Sequence, residues 1–360
     1  MSRTKGMWCM KKQSENEPEI LRCETFPCRP EDEFPFDAPL LELLKAENPF
    51  EQEYYLIQKG KRRARVIVYR MKLNIFTYGR WDLALTTSVI GFPCSLSEQG
   101  FVGDQKLVLE FAKTLKGPVL ILNVKEKIAH KDFVLGETLP TCMFQNRFAT
   151  PEEYLKALRS SYRRRIRQAV VKCSSLTVRQ IEDDSIDVYP LYLNTYRKSA
   201  YKLERLQKGF FDRIDAVKLV FLKGDRPIGF VLLKIQKEQL IFMLCGMDYS
   251  EDTTDLYYYM LFHIIKYAIR HHCRIIDFGQ TSEETKLKFG ATTEKRYFYA
   301  HHSNRFINLL VMHAKSLLEY HYAFPEYRVF KTESKQRGKL CCSRGTMENT
   351  DHKTVYGNEK

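Results

Sequence analysis

The sequence is marked first by what it lacks. None of its ten cysteines forms a CxxC pair, so a zinc ribbon is not expected, and scattered thiols of this kind are typical of a reducing cytosol. No apolar run approaches the roughly 20 residues of a membrane span, and the first residues contain no apolar signal segment. Walker A, GxSxG and HExxH patterns are also absent. We therefore expect a soluble, cytoplasmic protein without a bound metal.

Positive charge is what the sequence has in excess. Lysine and arginine number 58 against 44 aspartate and glutamate residues, which gives a net charge of +14. Such a balance favours anionic partners, whether nucleic acid, acidic lipid or phosphorylated small molecules. The 360 residues exceed what one core usually covers, so the chain is expected to form about two domains.

The two halves of the chain repeat one order of elements, namely a β-hairpin, a break, a helix and a short buried strand. The first hairpin turns at Gly60 and the second at Gly224. We predict an α/β (α+β) fold of two related domains, residues 31–149 and 150–330, each with its own mixed, mostly antiparallel sheet flanked by helices. Residues 1–30 are predicted to be a mobile arm, and residues 331–360 a disordered polar tail.

A single basic helix is predicted from Thr150 to Cys173. Thr150 can cap it, and apolar residues recur every four positions from Leu158. The helix is either a solvated face or a surface on which Arg163 and Arg167 bind an anion through paired N–H groups. No acid lies among its basic residues, which are Lys156, Arg159, Arg163, Arg164, Arg165, Arg167 and Lys172.

Four segments, taken in order, resemble the FemAB-like branch of the GNAT acyltransferases. They are SYRRRIRQAV at 161–170, the hairpin LKGDRPIGFVLL at 222–233, the strand LIFMLCGMDYS with the helix after it, and DFGQTSEETKLKFG at 277–290. Each motif alone is weak, and their order and spacing carry the resemblance. It implies tandem GNAT-like domains. It also implies transfer of an acyl or aminoacyl group from an activated donor, acyl-CoA or aminoacyl-tRNA, to an amine.

The same resemblance implies where the chemistry would lie. Amine acylation needs a base for the proton of the nucleophile and a cation for the carbonyl oxyanion. Asp277, Glu284 and Lys286 are the catalytic candidates, and Lys286 is the strongest by its match to the family segment. We expect Asp277 and Lys286 at the rim of the sheet. Non-catalytic alternatives stay open. Asp277 can be a turn residue, and Glu284 and Lys286 can form an ordinary exposed pair on a helix.

Substrate contacts are expected from residues on three segments. Arg163 and Arg167 come from the basic helix, and Gln280 from the stretch after Asp277. Tyr258 lies near the start of the donor helix, where a GNAT tyrosine can protonate the leaving group, although core packing is the alternative for such a residue.

The loop before the donor helix departs from the family pattern. GNAT enzymes usually hold a donor pyrophosphate there on glycine-rich backbone, at the helix N-terminus. This chain reads DYSEDTTD, without glycine, and Glu251, Asp252 and Asp255 would repel phosphate. The loop is therefore atypical for a coenzyme A donor, and acyl-CoA stays open as the donor beside aminoacyl-tRNA. Two hypotheses stand beside the enzyme, namely a degenerate GNAT-fold module that binds nucleic acid or another polyanion, and a scaffold without a small ligand.

Overall fold

The computed structural model describes residues 17–74, 83–181, 185–199 and 202–331. Most of the predicted tail, residues 332–360, and the first 16 residues of the predicted arm lie outside the described residues. The strands are β1 (Glu19–Cys23), β2 (Gln52–Lys59), β3 (Arg62–Asn74), β4 (Ala84–Ile90), β5 (Phe101–Gly103), β6 (Pro118–Val124), β7 (Val134–Gln145), β8 (Thr177–Ile181), β9 (Val217–Lys223), β10 (Arg226–Gln236), β11 (Gln239–Met247), β12 (Ile275–Asp277) and β13 (Thr292–His302). The helices are α1 (Ala38–Glu47), α2 (Gln105–Ala112), α3 (Pro151–Ala157), α4 (Ser160–Lys172), α5 (Tyr189–Lys198), α6 (Lys208–Arg213), α7 (Thr253–Arg270), α8 (Glu283–Lys288), α9 (Arg305–His313) and α10 (Lys315–Leu318).

Both predicted hairpins are confirmed. β2 and β3 pair antiparallel around Gly60, and β9 and β10 pair antiparallel around Gly224. Both glycines are left-handed, with φ of 57° and 61°, a conformation that glycine adopts without steric cost. The turn chemistry of the sequence therefore fixes these two hairpins locally.

The described strands form one 13-stranded sheet in the order β1-β2-β3-β4-β6-β13-β7-β12-β11-β10-β9-β8, with β5 paired to β3. The sheet is mixed and mostly antiparallel, as predicted. In each half, a strand that precedes the main helix runs parallel to the strand that follows it, β4 with β6 around α2 and β11 with β12 around α7; the short β5, between β4 and α2, pairs with β3 instead. The strand order is thus arranged alike on both sides of its centre.

The prediction of two separate sheets is wrong. β13, at the end of the second half, lies between β6 and β7 of the first half, and β7 pairs in turn with β12 of the second half. The last strand of each half, β7 or β13, is therefore paired with strands of the other half. A strand edge left open at a buried junction would leave backbone groups unpaired, and the exchange pairs both inner edges.

The single basic helix is also corrected, because it forms two helices. Thr150 caps α3 as predicted, with its hydroxyl accepting a hydrogen bond from a backbone N–H at 3.1 Å. The chain is then extended at Leu158 and Arg159, with ψ of 145° and 154°. There the Arg159 N–H donates to the Val329 carbonyl at 2.9 Å. Pairing with a distant segment of the chain accounts for the break.

Residues 17–30 do not form the predicted mobile arm. β1 pairs antiparallel with β2 over five residues at the edge of the sheet. Phe26 is buried, and the Arg65 guanidinium lies 5.4 Å from the centre of its ring. An aromatic anchor and strand pairing hold this segment against the first half.

Three large clusters of buried side chains form the core. One packs beneath α2, one surrounds α7, and the third joins α1, α5 and α6 to the faces of β9 and β10. Apolar residues at every fourth position of α7, namely Leu256, Met260, Ile264 and Ala268, are all buried. Among the described residues, no helix combines the length and the hydrophobicity needed to cross a bilayer.

Candidate functional site

A groove of about 900 Å³ runs between α4 and the start of α7, and we call it the arginine groove. Its lining includes Arg163, Arg164, Arg165, Arg167 and Lys172 from α4, Thr254 and Asp255 from α7, and Asp252, which precedes α7. The two arginines predicted to bind an anion therefore lie in one groove. Arg164 joins them, and neither it nor Arg167 contacts a carboxylate among the described residues. The lining contains five cationic side chains and two carboxylates, so its excess of positive charge favours the binding of an anion.

The amides at the start of α7 are already occupied. The Asp252 carboxylate caps the helix, accepting hydrogen bonds from the N–H groups of Thr254 at 3.1 Å and Asp255 at 3.3 Å. A phosphate bound to this helix N-terminus would need those same donors. An anion in the groove would have to meet arginine side chains instead.

The acids of this loop are paired, contrary to the repulsion expected from the sequence. Asp255 is buried and receives Arg165 Nη1 and Lys172 Nζ, each at 2.5 Å. Burial would raise the pKa of Asp255, but the hydrogen bonds from Lys172 and Arg165 outweigh it and hold the pKa low. Glu251 likewise pairs with Lys223 at 3.0 Å. The charge of the loop is therefore largely offset.

The first half has a smaller groove at the corresponding place, the start of α2. Its volume is about 600 Å³, and it is lined by Arg62, Lys106 and Lys125 together with acidic residues. Asp104 caps α2 through the Leu107 N–H at 3.1 Å and also pairs with Arg62 at 2.7 Å. Both main helices thus begin at a carboxylate cap, but only the second groove concentrates arginines.

A buried polar cluster, the Lys286 cluster, lies behind α7. It consists of Lys286, Glu283, Asp277, Tyr257, Cys142 and Cys245. The loop that carries it has three left-handed residues, with φ of 69° at Gly279, 62° at Thr281 and 50° at Ser282. Left-handed backbone is costly outside glycine and often marks functional sites. Here it lets the chain leave β12 and re-enter the protein as α8.

Lys286 is buried, which rules out the alternative of an exposed helix pair for this residue. The side chain is 2% exposed, and Nζ donates to the carbonyls of Gly279 at 3.2 Å and Gln280 at 2.7 Å. Burial lowers the pKa of Lys286, opposed by the nearby Cys142 and Glu283, which raise it. An ammonium has three N–H groups, and these two carbonyls use only two.

Glu283, not Glu284, is the carboxylate of the cluster. Glu283 is 8% exposed, and its Oε1 has no hydrogen-bond partner among the described residues. Glu284 is exposed and binds Lys288 Nζ at 2.9 Å and the Tyr327 hydroxyl at 2.7 Å. Helical spacing puts 283 and 286 on one face, and 284 and 288 on the other. The sequence carried a signal for this, since Glu284 and Lys288 have the spacing of an exposed ion pair.

Asp277 lies beside Lys286 but is fully engaged by the protein. Its Oδ1 accepts from the Thr141 hydroxyl and the Gly279 N–H, both at 2.8 Å, and Oδ2 from Ser97 at 3.3 Å. Gln280 is similarly engaged, with its amide donating to Asn123 Oδ1 at 2.9 Å. Both side chains therefore fasten the loop to the first half, which fits the alternative of a turn aspartate.

Two neighbouring tyrosines of α7 connect the groove to the cluster. The Arg165 guanidinium lies 4.0 Å from the centre of the Tyr258 ring, on the groove side. Tyr257 is hydrogen-bonded to Ser282 on the cluster side, and burial raises the pKa of its phenol far above the usual range. The sequence favoured Tyr258, and it missed Tyr257 because adjacent tyrosines give no sign of which one faces inward.

Among the described residues, no group of three or more histidine, cysteine, aspartate or glutamate side chains is arranged to hold an ion.

Comparison with known proteins bears on the second half. Residues 156–296 match the family model of the acetyltransferase (GNAT) domain, a range under half of the chain that includes the arginine groove and most of the Lys286 cluster. No curated protein matches the chain by sequence.

Solved structures resemble the chain only distantly. L-PGS from Bacillus licheniformis is 10% identical with a TM-score of 0.46, covering 79% of this chain and 98% of that one. FemX is 12% identical with a TM-score of 0.42, covering 73% and 90%. A tandem GNAT protein from the clavulanic acid biosynthesis pathway is 7% identical with a TM-score of 0.44, covering 71% and 84%. These values are too low for any function to be carried over.

Proposed function

We propose that the second half transfers an acyl or aminoacyl group from an activated donor to an amine, with the reaction at the Lys286 cluster. The observation that carries the proposal is the presence of two unused hydrogen-bonding groups in one buried cluster. They are the third N–H of the Lys286 ammonium and the Oε1 atom of Glu283. The match of residues 156–296 to the acetyltransferase (GNAT) domain supports this assignment.

Each step of the transfer has a group in the cluster. The amine nitrogen attacks the donor carbonyl carbon, and the bond from that carbon to the leaving sulfur or oxygen breaks. Glu283 takes the proton lost by the amine, and the free N–H of Lys286 stabilises the oxyanion. Tyr257, kept protonated by its raised pKa, returns a proton to the leaving group. Asp277 acts as a positioning residue because its oxygens are already bonded to the protein.

The donor is expected to be anionic and to lie in the arginine groove. Arginine binds phosphate through paired N–H groups, and Arg163, Arg164 and Arg167 line one wall. The helix amides that would hold the pyrophosphate of acyl-CoA are filled by Asp252. An aminoacyl-tRNA, whose backbone phosphates can meet the arginines, fits these residues better than acyl-CoA.

Acylation of an amine acceptor is the direct test. The protein is incubated with acetyl-CoA or with aminoacyl-tRNA and a set of amines, and the acylated amine is measured by mass. We expect Lys286→Met, which keeps the side-chain volume, to lower turnover about 100-fold. The matched control is Lys288→Met on the outer face of α8, where turnover should stay within about threefold. Equal turnover in the two variants would remove Lys286 from the mechanism.

A polyanion-binding module without catalysis is the second candidate. The capped amides of α7 favour it, together with the arginines that face the groove without carboxylate partners. It predicts salt-dependent binding of tRNA that Lys286→Met leaves unchanged, with no acylated product from any donor.

A further inference from the structure

The outer face of α9 and α10 is apolar, and none of the described residues covers it. Phe306 is 83% exposed, Leu310 71% and Leu309 59%, and Leu317 on α10 is 51% exposed. Large apolar side chains this exposed are costly in water when they are contiguous, and a contiguous patch marks a surface that binds something. The feature is not required by acyl transfer at the Lys286 cluster.

The opposite face of α9 explains how the helix is held. Val311 and Met312 pack against the sheet beside Phe298, and the Asn308 amide donates to the Asp132 carbonyl at 3.1 Å. Asn304 caps the helix through the Phe306 N–H at 3.0 Å. The helix is therefore fixed to the protein on one side and presents an apolar surface on the other.

Cations without partners border this apolar face. Arg305 begins α9, Lys116 precedes Gly117, whose N–H binds the Ser303 hydroxyl at 2.8 Å, and Lys131 precedes Asp132. All three side chains are exposed, and none contacts a carboxylate among the described residues.

The carboxylates beside the same helices are already neutralised. Asp132 pairs with Lys113 at 2.5 Å, and Glu137 pairs with Lys295 at 2.5 Å. Glu319 pairs with Lys315 at 3.8 Å. The border of the apolar face therefore carries free positive charge and no free negative charge from these residues.

We propose that α9 and α10 dock the protein on an anionic lipid surface. Apolar side chains on one helix face, bordered by cations, match the boundary between acyl chains and anionic headgroups. A second copy of the chain fits less well, because a two-fold contact would bring the same unpaired cations together without carboxylates to receive them. The docking site is separate from the arginine groove and does not depend on the proposed chemistry.

Vesicle flotation tests this docking with the full chain. Wild-type protein should float with vesicles that contain phosphatidylglycerol, and bind phosphatidylcholine vesicles more weakly. The double variant Phe306→Ser, Leu310→Ser should lower partition to the anionic vesicles by about tenfold or more. Leu21→Ser removes an equally apolar side chain, 55% exposed on the edge strand β1, and should change partition less than about twofold.

A charge variant and a mass measurement complete the test. Arg305→Gln with Lys131→Gln should lower binding to anionic vesicles only, and high salt should reproduce that loss in the wild type. All five altered side chains, counting Leu21, are exposed, so melting temperatures should stay close to that of the wild type. The proposal is overturned if the wild type fails to float, or if the apolar double variant floats equally well. It is also overturned if the wild type sediments as a dimer that this variant converts to a monomer.

Discussion

In the first half, β6 is followed directly by β7, whereas in the second half the helix α8 lies between the corresponding strands β12 and β13. The strands around these connections are arranged alike, and the main helices α2 and α7 occupy matching places in the order of elements. Yet the first half has no residue in the position of Lys286, and its groove mixes acids with cations. The comparison teaches that the shared frame is common to both halves, while an insertion of a few residues supplies Glu283 and Lys286, the groups that we propose to react.

The two main helices, α2 and α7, differ in length and in how much of the core they form. α2 has 8 residues and α7 has 18, and α7 forms the centre of one of the large core clusters. The longer, buried helix places Tyr257 and Tyr258 between the groove and the cluster. The second half therefore combines the longer main helix with the groove that concentrates arginines.

Separating the halves should have the largest effect. Residues 17–149 expressed alone would leave β6 and β7 without β13 between them, and residues 150–331 alone would leave β12 without β7. We expect neither fragment to show a cooperative thermal transition by circular dichroism, and we expect structure to return when the two are mixed. A cooperative transition in either isolated fragment would mean that the halves are independent domains, as the sequence boundaries suggested.

A single carboxylate should distinguish the halves chemically. Glu283→Gln keeps the shape of the buried side chain and removes its capacity to accept a proton, so turnover of amine acylation should fall about 100-fold. Glu284→Gln on the exposed face of α8 and Glu126→Gln in the first-half groove are the controls. Equal losses in Glu283→Gln and Glu284→Gln would return the role to the residue that the sequence favoured.

The two grooves should differ in affinity for an anionic donor. Arg163→Ala with Arg167→Ala should raise the dissociation constant of the donor about tenfold, and it should weaken the dependence of binding on salt. The matched change in the first half is Lys106→Ala with Lys125→Ala, which should have little effect. Isothermal titration at two salt concentrations measures both, and a larger loss from the first-half variant would reverse the assignment of the grooves.

Acidic pH should lower the stability of the second half through protonation of His263 on α7. Burial lowers the pKa of His263 to about 4 from its usual 6.5. Between these values the unfolded chain binds the extra proton, so the stabilisation present above pH 6.5 is lost as the pH falls towards 4. The loss should be on the order of 3 kcal/mol in the free energy of unfolding. Urea denaturation at both ends of this range should show a smaller loss for His263→Phe, while exposed His272→Gln behaves as wild type.

The sequence predicted those parts of the fold that short segments determine. Gly60 and Gly224 specify their turns, Thr150 caps a helix, and the apolar spacing of α7 places its buried face. β7 and β13, by contrast, were not predicted. β7 contains Pro140 and β13 opens on four exposed residues, so neither has the pattern of a buried strand. Their stability as strands comes from partners more than a hundred residues away.

The candidate site residues stay predictions. Lys286, Asp277 and the arginines were identified from their segments, and the structure places Lys286 and Asp277 in the buried cluster and the arginines in the groove. The burial of Lys286 and the inward position of Glu283 depend on the left-handed turn at Thr281 and Ser282. Such a turn in two residues other than glycine is set by the surrounding fold and cannot be deduced from residue preference.

The exchange of last strands also has a consequence for how the protein is made. A ribosome synthesises β6 and β7 more than 140 residues before β13, the strand that lies between them in the finished sheet. The first half therefore leaves the ribosome with a gap that only the end of the second half can fill, and contacts so distant in sequence form slowly. The first half must wait, with two β-edges exposed to other chains, until nearly the whole protein has emerged. Stalled or truncated products should accordingly aggregate, and chaperone dependence should concentrate in this interval of synthesis.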